Sequence, residues 1–152
     1  MTALRKLPQL TKHAYVGLRY ILGGVFLLCG ILKLISPSDA IGMLLAIIPL
    51  TKGWAWVAIT GLSVCEILLG LMMLLDRFVT LAASIASLFL LCSIVAGTLL
   101  ISKPIACGCF GDLFESKTDE VFMLRNVGLL LLSVFLFTLG AHKEVPMKDS
   151  LG

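Results

Sequence analysis

The chain has 152 residues, of which 59% are hydrophobic and 14% charged, with a mean hydropathy of +1.08 and a formal net charge of +3. Soluble domains are about half apolar and about a quarter charged, and a small interior cannot absorb the excess. The composition excludes a soluble enzyme, a disordered chain and a nucleic-acid-binding module, and leaves one small helical domain in lipid.

Four apolar runs approach the ~20 residues that cross a bilayer as helix. The first extends from about Ala14 to Ile35 and stops at Ser36-Pro37, because proline disfavours helical backbone in the residue before it. Ile41 to Leu50 is apolar but only ten residues long, bounded by Asp39 and Pro49, and is expected to be interfacial or re-entrant. The second span covers about Trp54 to Leu75, with Trp54 and Trp56 where an interfacial aromatic belt sits. Asp76-Arg77 predicts a tight turn into the third span, about Phe78 to Ser102; the fourth covers about Phe122 to Ala141, before a polar tail. The expected architecture is an all-α integral membrane four-helix bundle, one transmembrane domain over 1–152, with spans near 14–35, 54–75, 78–102 and 122–141. A loop over 103–121 is expected to face outward.

Orientation follows from Lys and Arg in the short flanks. Arg5, Lys6, Lys12, Arg77, Lys143 and Lys148 fall on one side, against Lys52, Lys103 and Lys117 on the other, which predicts both termini in the cytoplasm of a multi-pass inner (plasma) membrane protein. Lys33 and Arg125, at the outer ends of spans one and four, narrow that margin. The first run is longer than a signal-peptide core and carries Arg19 and Lys33, so an uncleaved helix is expected.

The one long polar loop holds Cys107-Gly108-Cys109-Phe110-Gly111-Asp112. Facing outward, it enters a compartment where disulfides persist, and two Cys separated by one Gly come within bridging distance. Gly108 and Gly111 allow the backbone angles of so tight a ring. Strained or exposed disulfides exchange readily, and Lys33, Lys103 and Arg125 at the same membrane face favour thiolates. Asp112, Glu115, Asp119 and Glu120 oppose that effect, so position and spacing leave a reactive dithiol and a purely structural bridge both open. The chain has five Cys, an odd number that cannot all pair internally. A metal site is the poorest reading, since zinc usually takes four ligands and His13 and His142 sit across the bilayer from the loop.

Inside the spans, Glu66 lies near the middle of span two, about 18 Å below Trp54. A carboxylate there is costly unless protonated or paired, and marks a candidate functional site. Arg19 and Lys33 are its conceivable partners, and depth along the helices favours Arg19. A structural lock between two helices and a role in proton or electron chemistry both remain open for Glu66. Cys29, Cys65 and Cys92 are expected to pack as small hydrophobes, with Cys29 best placed to exchange with the loop thiols. Glycines at 17, 23, 24, 30, 61, 70, 97 and 128 are expected at close helix contacts, with span one as the central helix.

Leu18-Arg19-Tyr20-Ile21-Leu22-Gly23-Gly24-Val25-Phe26, Gly30-Ile31-Leu32-Lys33 through Pro37, Glu66 with Gly70, the Cys107-Gly108-Cys109-Phe110-Gly111 loop and Leu124-Arg125-Asn126 occur in that order. Together they resemble the methylamine utilisation protein MauE family, a branch of the DoxX-like four-helix membrane proteins, from about Leu18 to Leu139. The CGCFG loop followed by Arg-Asn is the specific part of the resemblance. It implies a role in maturing redox enzymes: in methylamine users the family is needed to make the disulfide-rich small subunit of methylamine dehydrogenase, alongside a thioredoxin-like periplasmic protein. Relatives also occur where there is no methylamine pathway, as redox-associated membrane proteins. Cys107 and Cys109 match the family's Cys pair, and Arg19, Lys33, Glu66 and Arg125 its charged positions. Ala106 stands where many relatives carry an acidic residue, a departure that bears on the thiol pKa.

The resulting expectation is a thiol–disulfide partner of an exported thioredoxin-like protein, with Cys107 and Cys109 as the exchanging residues. Analogy with other four-helix disulfide-generating proteins adds a membrane quinone as the electron carrier. A non-enzymatic membrane scaffold for a periplasmic maturation factor, and a small proton-linked transporter built on Glu66, are the alternatives.

Overall fold

The computed structural model describes residues 7–100 and 120–144, and no strand occurs among the described residues. Five helices follow in order: α1 (Leu7–Ile35), α2 (Ser38–Ile47), α3 (Lys52–Leu74), α4 (Val79–Leu100) and α5 (Glu120–Glu144). All but α2 are long and apolar enough to cross a membrane, and at most 39% of any span's apolar window is buried inside the protein. Most of the apolar surface therefore faces outward, the arrangement a hydrocarbon solvent allows and water does not. Exposed Trp54 and Trp56 sit in the first turns of α3, where an interfacial belt belongs.

The spans alternate in direction. α1 packs along α3 and α4 along α5, while α1–α5 and α3–α4 contacts close the ring. Small residues set the α1–α3 approach. A Cβ on Gly70 would fall 2.7 Å from the Gly23 carbonyl, and one on Gly30 would fall 2.8 Å from the Ser63 carbonyl, so neither position accepts a side chain without moving backbone. Without a hydrophobic force between helices in lipid, this close backbone packing holds the pair together. On the other side, Gly97 of α4 receives the Phe122 ring, and Ser133 of α5 donates to the Ala83 carbonyl across the helices at 3.0 Å. Ser87 donates to the Ser133 hydroxyl at 3.0 Å. The expected close contacts thus occur at Gly23, Gly30, Gly70 and Gly97; Gly17, Gly24, Gly61 and Gly128 have nothing within 4 Å of an added Cβ and face no neighbouring helix. The core between the pairs holds Leu22, Phe26, Met73, Ala83, Ala86 and Leu136, and the Phe26 and Phe89 rings meet edge to face with centroids 6.1 Å apart.

The turn between α3 and α4 is built as a helix cap. Asp76 takes a left-handed φ of 56°, its N–H reaches the Met73 carbonyl at 3.4 Å, and the Arg77 N–H reaches that of Met72 at 3.0 Å. This is the paired-bond termination usually given to glycine, with Asp tolerated because its short side chain suits that region.

The apolar stretch expected over Ile41–Leu50 is helical only to Ile47: α2 starts earlier, at Ser38 directly after Pro37, ends before Ile48-Pro49-Leu50, and contacts α3 and α4. Gly30 lies against α3 between Ser63 and Ile67. That register carries Ile35 to about the level of Thr60, about 12 Å along α3 from Lys52. α1 therefore ends well inside the bundle, and α2 fills the space above it.

A buried ion pair and two cavities as the candidate functional site

The early end of α1 decides the pairing of Glu66. The Lys33 ammonium donates to Glu66 Oε1 in a buried ion pair. In the α1–α3 register Lys33 stands level with about Leu62, about 6 Å from Glu66 along the axis. Each Cα–Cβ bond leans toward its own helix N-terminus; in antiparallel helices those directions oppose, so the long side chains converge. Depth along the helices favoured Arg19, and the structure corrects this: Arg19 pairs with Asp76 of the turn. Counting depth from helix ends fails because it takes the end of α1 to be at the membrane surface.

Glu66 is 2% exposed, and its second oxygen, Oε2, has no hydrogen-bond partner. An unsatisfied acceptor in such a place is costly. Glu66 is one wall of a cavity of about 40 Å³ lined also by Cys29, Lys33, Ser93, Arg125 and Asn126, which is room for water-sized groups. A second, mostly apolar cavity of about 280 Å³ lies among α2, α3, α4 and α5. Lys33, Phe89 and Ser93 belong to the walls of both, so the ammonium is reached from either side. Lys33 Nζ also stands 5.5 Å from the Phe89 ring centroid and the Arg125 guanidinium 5.6 Å from that of Phe122, placing cations on aromatic faces.

Lys33, Glu66 and Arg125 are thus gathered into one region, where α4 ends and α5 begins. Arg19 is not part of it. It lies toward the opposite end, where Asp76 also accepts from Tyr15 at 3.3 Å. Cys29 lines the smaller cavity and Cys92 the larger, while Cys65 is exposed on the outer surface; none of the three is in a disulfide. Cys107, Gly108, Cys109 and Gly111, with Ala106, lie outside the described residues. No group of three His, Cys, Asp or Glu able to hold a metal occurs among the described residues.

Two roles were not assigned from the sequence, one inside this site and one at the opposite end of the bundle. Asn126 is 4% exposed and donates to the Phe122 carbonyl at 2.8 Å; a lone amide in an apolar span was the available signal. Asp76, expected as a turn residue, also anchors Arg19 at the opposite end of the bundle; the signal was an acidic group directly following span two.

The model of the methylamine utilisation protein MauE matches residues 11–139. The chain belongs to the MauE family. Membership associates this multi-pass membrane chain with methylamine utilisation. No curated protein and no solved structure matches. The matched stretch contains every charged member of the site, Lys33, Glu66 and Arg125, together with the CGCFG loop.

Proposed function

We propose that this MauE-family protein is a membrane partner in thiol–disulfide exchange during the maturation of exported proteins. Its working groups are Cys107 and Cys109, on a loop at the extracytoplasmic face of the inner membrane, with both termini in the cytoplasm. One observation carries the reading. The loop is tied to the bundle at Leu100 and Glu120, at the same end as Lys33, Arg125 and the sealed Glu66. The Arg125 guanidinium at that end favours thiolates, whereas Lys33 is already neutralised by Glu66, and Gly108 and Gly111 supply the backbone freedom a two-Cys ring needs.

In the exchange, a thiolate of the reduced pair attacks a disulfide sulfur of a thioredoxin-like protein. A mixed disulfide forms and the partner's second sulfur leaves as thiolate. The remaining Cys of the pair then attacks the mixed bond. The pair ends as a disulfide and the partner as a dithiol, with two electrons transferred; the same steps reversed oxidise the partner. Lys33, Glu66, Arg125 and, at the far end, Arg19 support the bundle that presents the loop.

The test is a trap. Cys107→Ser and Cys109→Ser, each alone, leave one thiol to capture the partner, and one of the two is expected to accumulate a reductant-sensitive adduct with an exported thioredoxin-fold protein. No adduct with either variant overturns the reading. Full function in the Cys107→Ser/Cys109→Ser double variant would favour the non-enzymatic scaffold instead. Impermeant maleimide on reductant-treated intact cells is expected to label both thiols.

A further inference from the structure

We infer that the chamber between α2 and α4 seats an acyl chain of a bilayer phospholipid, which enters sideways and fills the space that α1 leaves by ending early. The inference is independent of the thiol chemistry above and uses only the described helices.

The first observation is an incomplete wall. α1 ends at Ile35, about level with Thr60 of α3. Beyond that level the ten residues of α2 stand where a spanning helix would otherwise continue. One face of α2, with Ala40, Met43 and Ile47, looks across at Ile59 of α3, Ala96 of α4 and Phe122 of α5, and about 280 Å³ between them is open. Protein interiors hold few voids larger than a water molecule, because side chains around an empty space forfeit contacts. An apolar cavity of about 150 Å³ accommodates benzene, so this one has room for about ten chain carbons.

The second observation is where the chamber opens. Ile47 of α2 and Cys92 of α4 belong to its walls and are exposed on the outer surface, so it is continuous with the lipid-facing surface between those helices. Its α3 wall, Ile59 and Leu62, lies about 8 and 12 Å along the helix from Trp54. The aromatic belt marks the headgroup level, and that depth below it is hydrocarbon. The walls agree with such an occupant. Their polar groups already have partners, since Lys33 donates to Glu66 and Ser93 to the Phe89 carbonyl. The rest is apolar apart from the Cys92 thiol, a weak hydrogen-bonding group. A phospholipid tail suits this lining, and the surrounding bilayer supplies it. Its entry requires no desolvation, because lipid tails are as apolar as the leucines they touch.

The probe is a phosphatidylcholine with a diazirine midway along one acyl chain, mixed into phosphatidylethanolamine–phosphatidylglycerol nanodiscs that hold the full-length chain. After photolysis, the labelled residues are read by peptide mass spectrometry. Ile59 decides the outcome, because it is 6% exposed, as is Leu69 in the core of the same helix. A tail that only coats the outer surface reaches neither. Label is expected on Ile59, Met43 and Ala96 and not on Leu69. Outward-facing Leu88 is labelled in either case and reports a folded, inserted protein. Ala96→Phe fills the chamber and should remove the label from Ile59 while Leu88 keeps its own. Met43→Trp should have the same effect from the α2 side. Label on Leu88 but none on Ile59, equal label on Ile59 and Leu69, or Ile59 label that survives both substitutions would each overturn the inference.

Discussion

Two ion pairs join α1 to the α3 hairpin, and they differ in what surrounds them. At the turn end, Arg19, whose side chain is 9% exposed and whose Nε has no hydrogen-bond partner, meets Asp76, whose side chain is 47% exposed, and Tyr15 donates to the same carboxylate. At the other end, Lys33 meets Glu66, whose side chain is 2% exposed, with one oxygen left unsatisfied beside a cavity. The first pair ties a chain reversal to the neighbouring helix, with access to polar surroundings. The second is sealed among apolar helices, where every missing partner is costly. Charge of the same kind on the same two helices thus serves as a staple in one place and as a site in the other. Solvent access and an adjoining void make the distinction.

The sharpest way to break this comparison is to remove one cation from the sealed pair. Lys33→Met leaves a buried carboxylate alone and is expected to destabilise the bundle by about 3–5 kcal/mol, read by denaturant unfolding in micelles. Adding Glu66→Leu to that variant should restore most of the loss, because no charge then remains buried. Failure of the second change to help would remove the burial argument. Gly70→Ala forces α1 and α3 apart between the two pairs, since its Cβ would meet the Gly23 carbonyl at 2.7 Å. A loss of about 1–3 kcal/mol is expected, against none for Gly24→Ala, which meets nothing within 4 Å. Equal effects at the two glycines would contradict the packing described here. Asp76→Asn keeps a residue that tolerates the left-handed turn but discharges the exposed partner of Arg19. It should cost about 1–3 kcal/mol, because Arg19 is buried and loses its charged partner although Asn can still accept from it, and a loss exceeding that of Lys33→Met would erase the contrast between the pairs. Ser133→Ala, away from both pairs on the α4–α5 seam, is expected to cost only about 0.6 kcal/mol; a much larger value would move the centre of stability to that seam.

The helices and the tight turn were legible because each rests on local chemistry: run length against bilayer thickness, proline after Ser36, and a polar dipeptide between apolar runs. The short stretch after Pro37 was recognisable as too short to span, and it forms α2. Glu66 stood out as the one acid inside a span. Its partner did not. The choice between Arg19 and Lys33 depended on where α1 ends relative to α3, and that offset comes from glycine contacts at Gly23, Gly30 and Gly70. Half of the glycines expected at contacts meet no neighbour, because a glycine's presence does not state which side of its helix is covered.

Composition and run length were sufficient to place this chain in a membrane as helices, since hydrocarbon leaves backbone groups no partner outside the helix. The residue types also marked Glu66, Lys33, Arg19 and Arg125 as groups needing an explanation. Which of them meet, and that one carboxylate oxygen is left without a partner, arose from the packing of separate helices. Those relations depend on the axial offset and rotation of elements distant along the chain, and no local preference of a single segment specifies either.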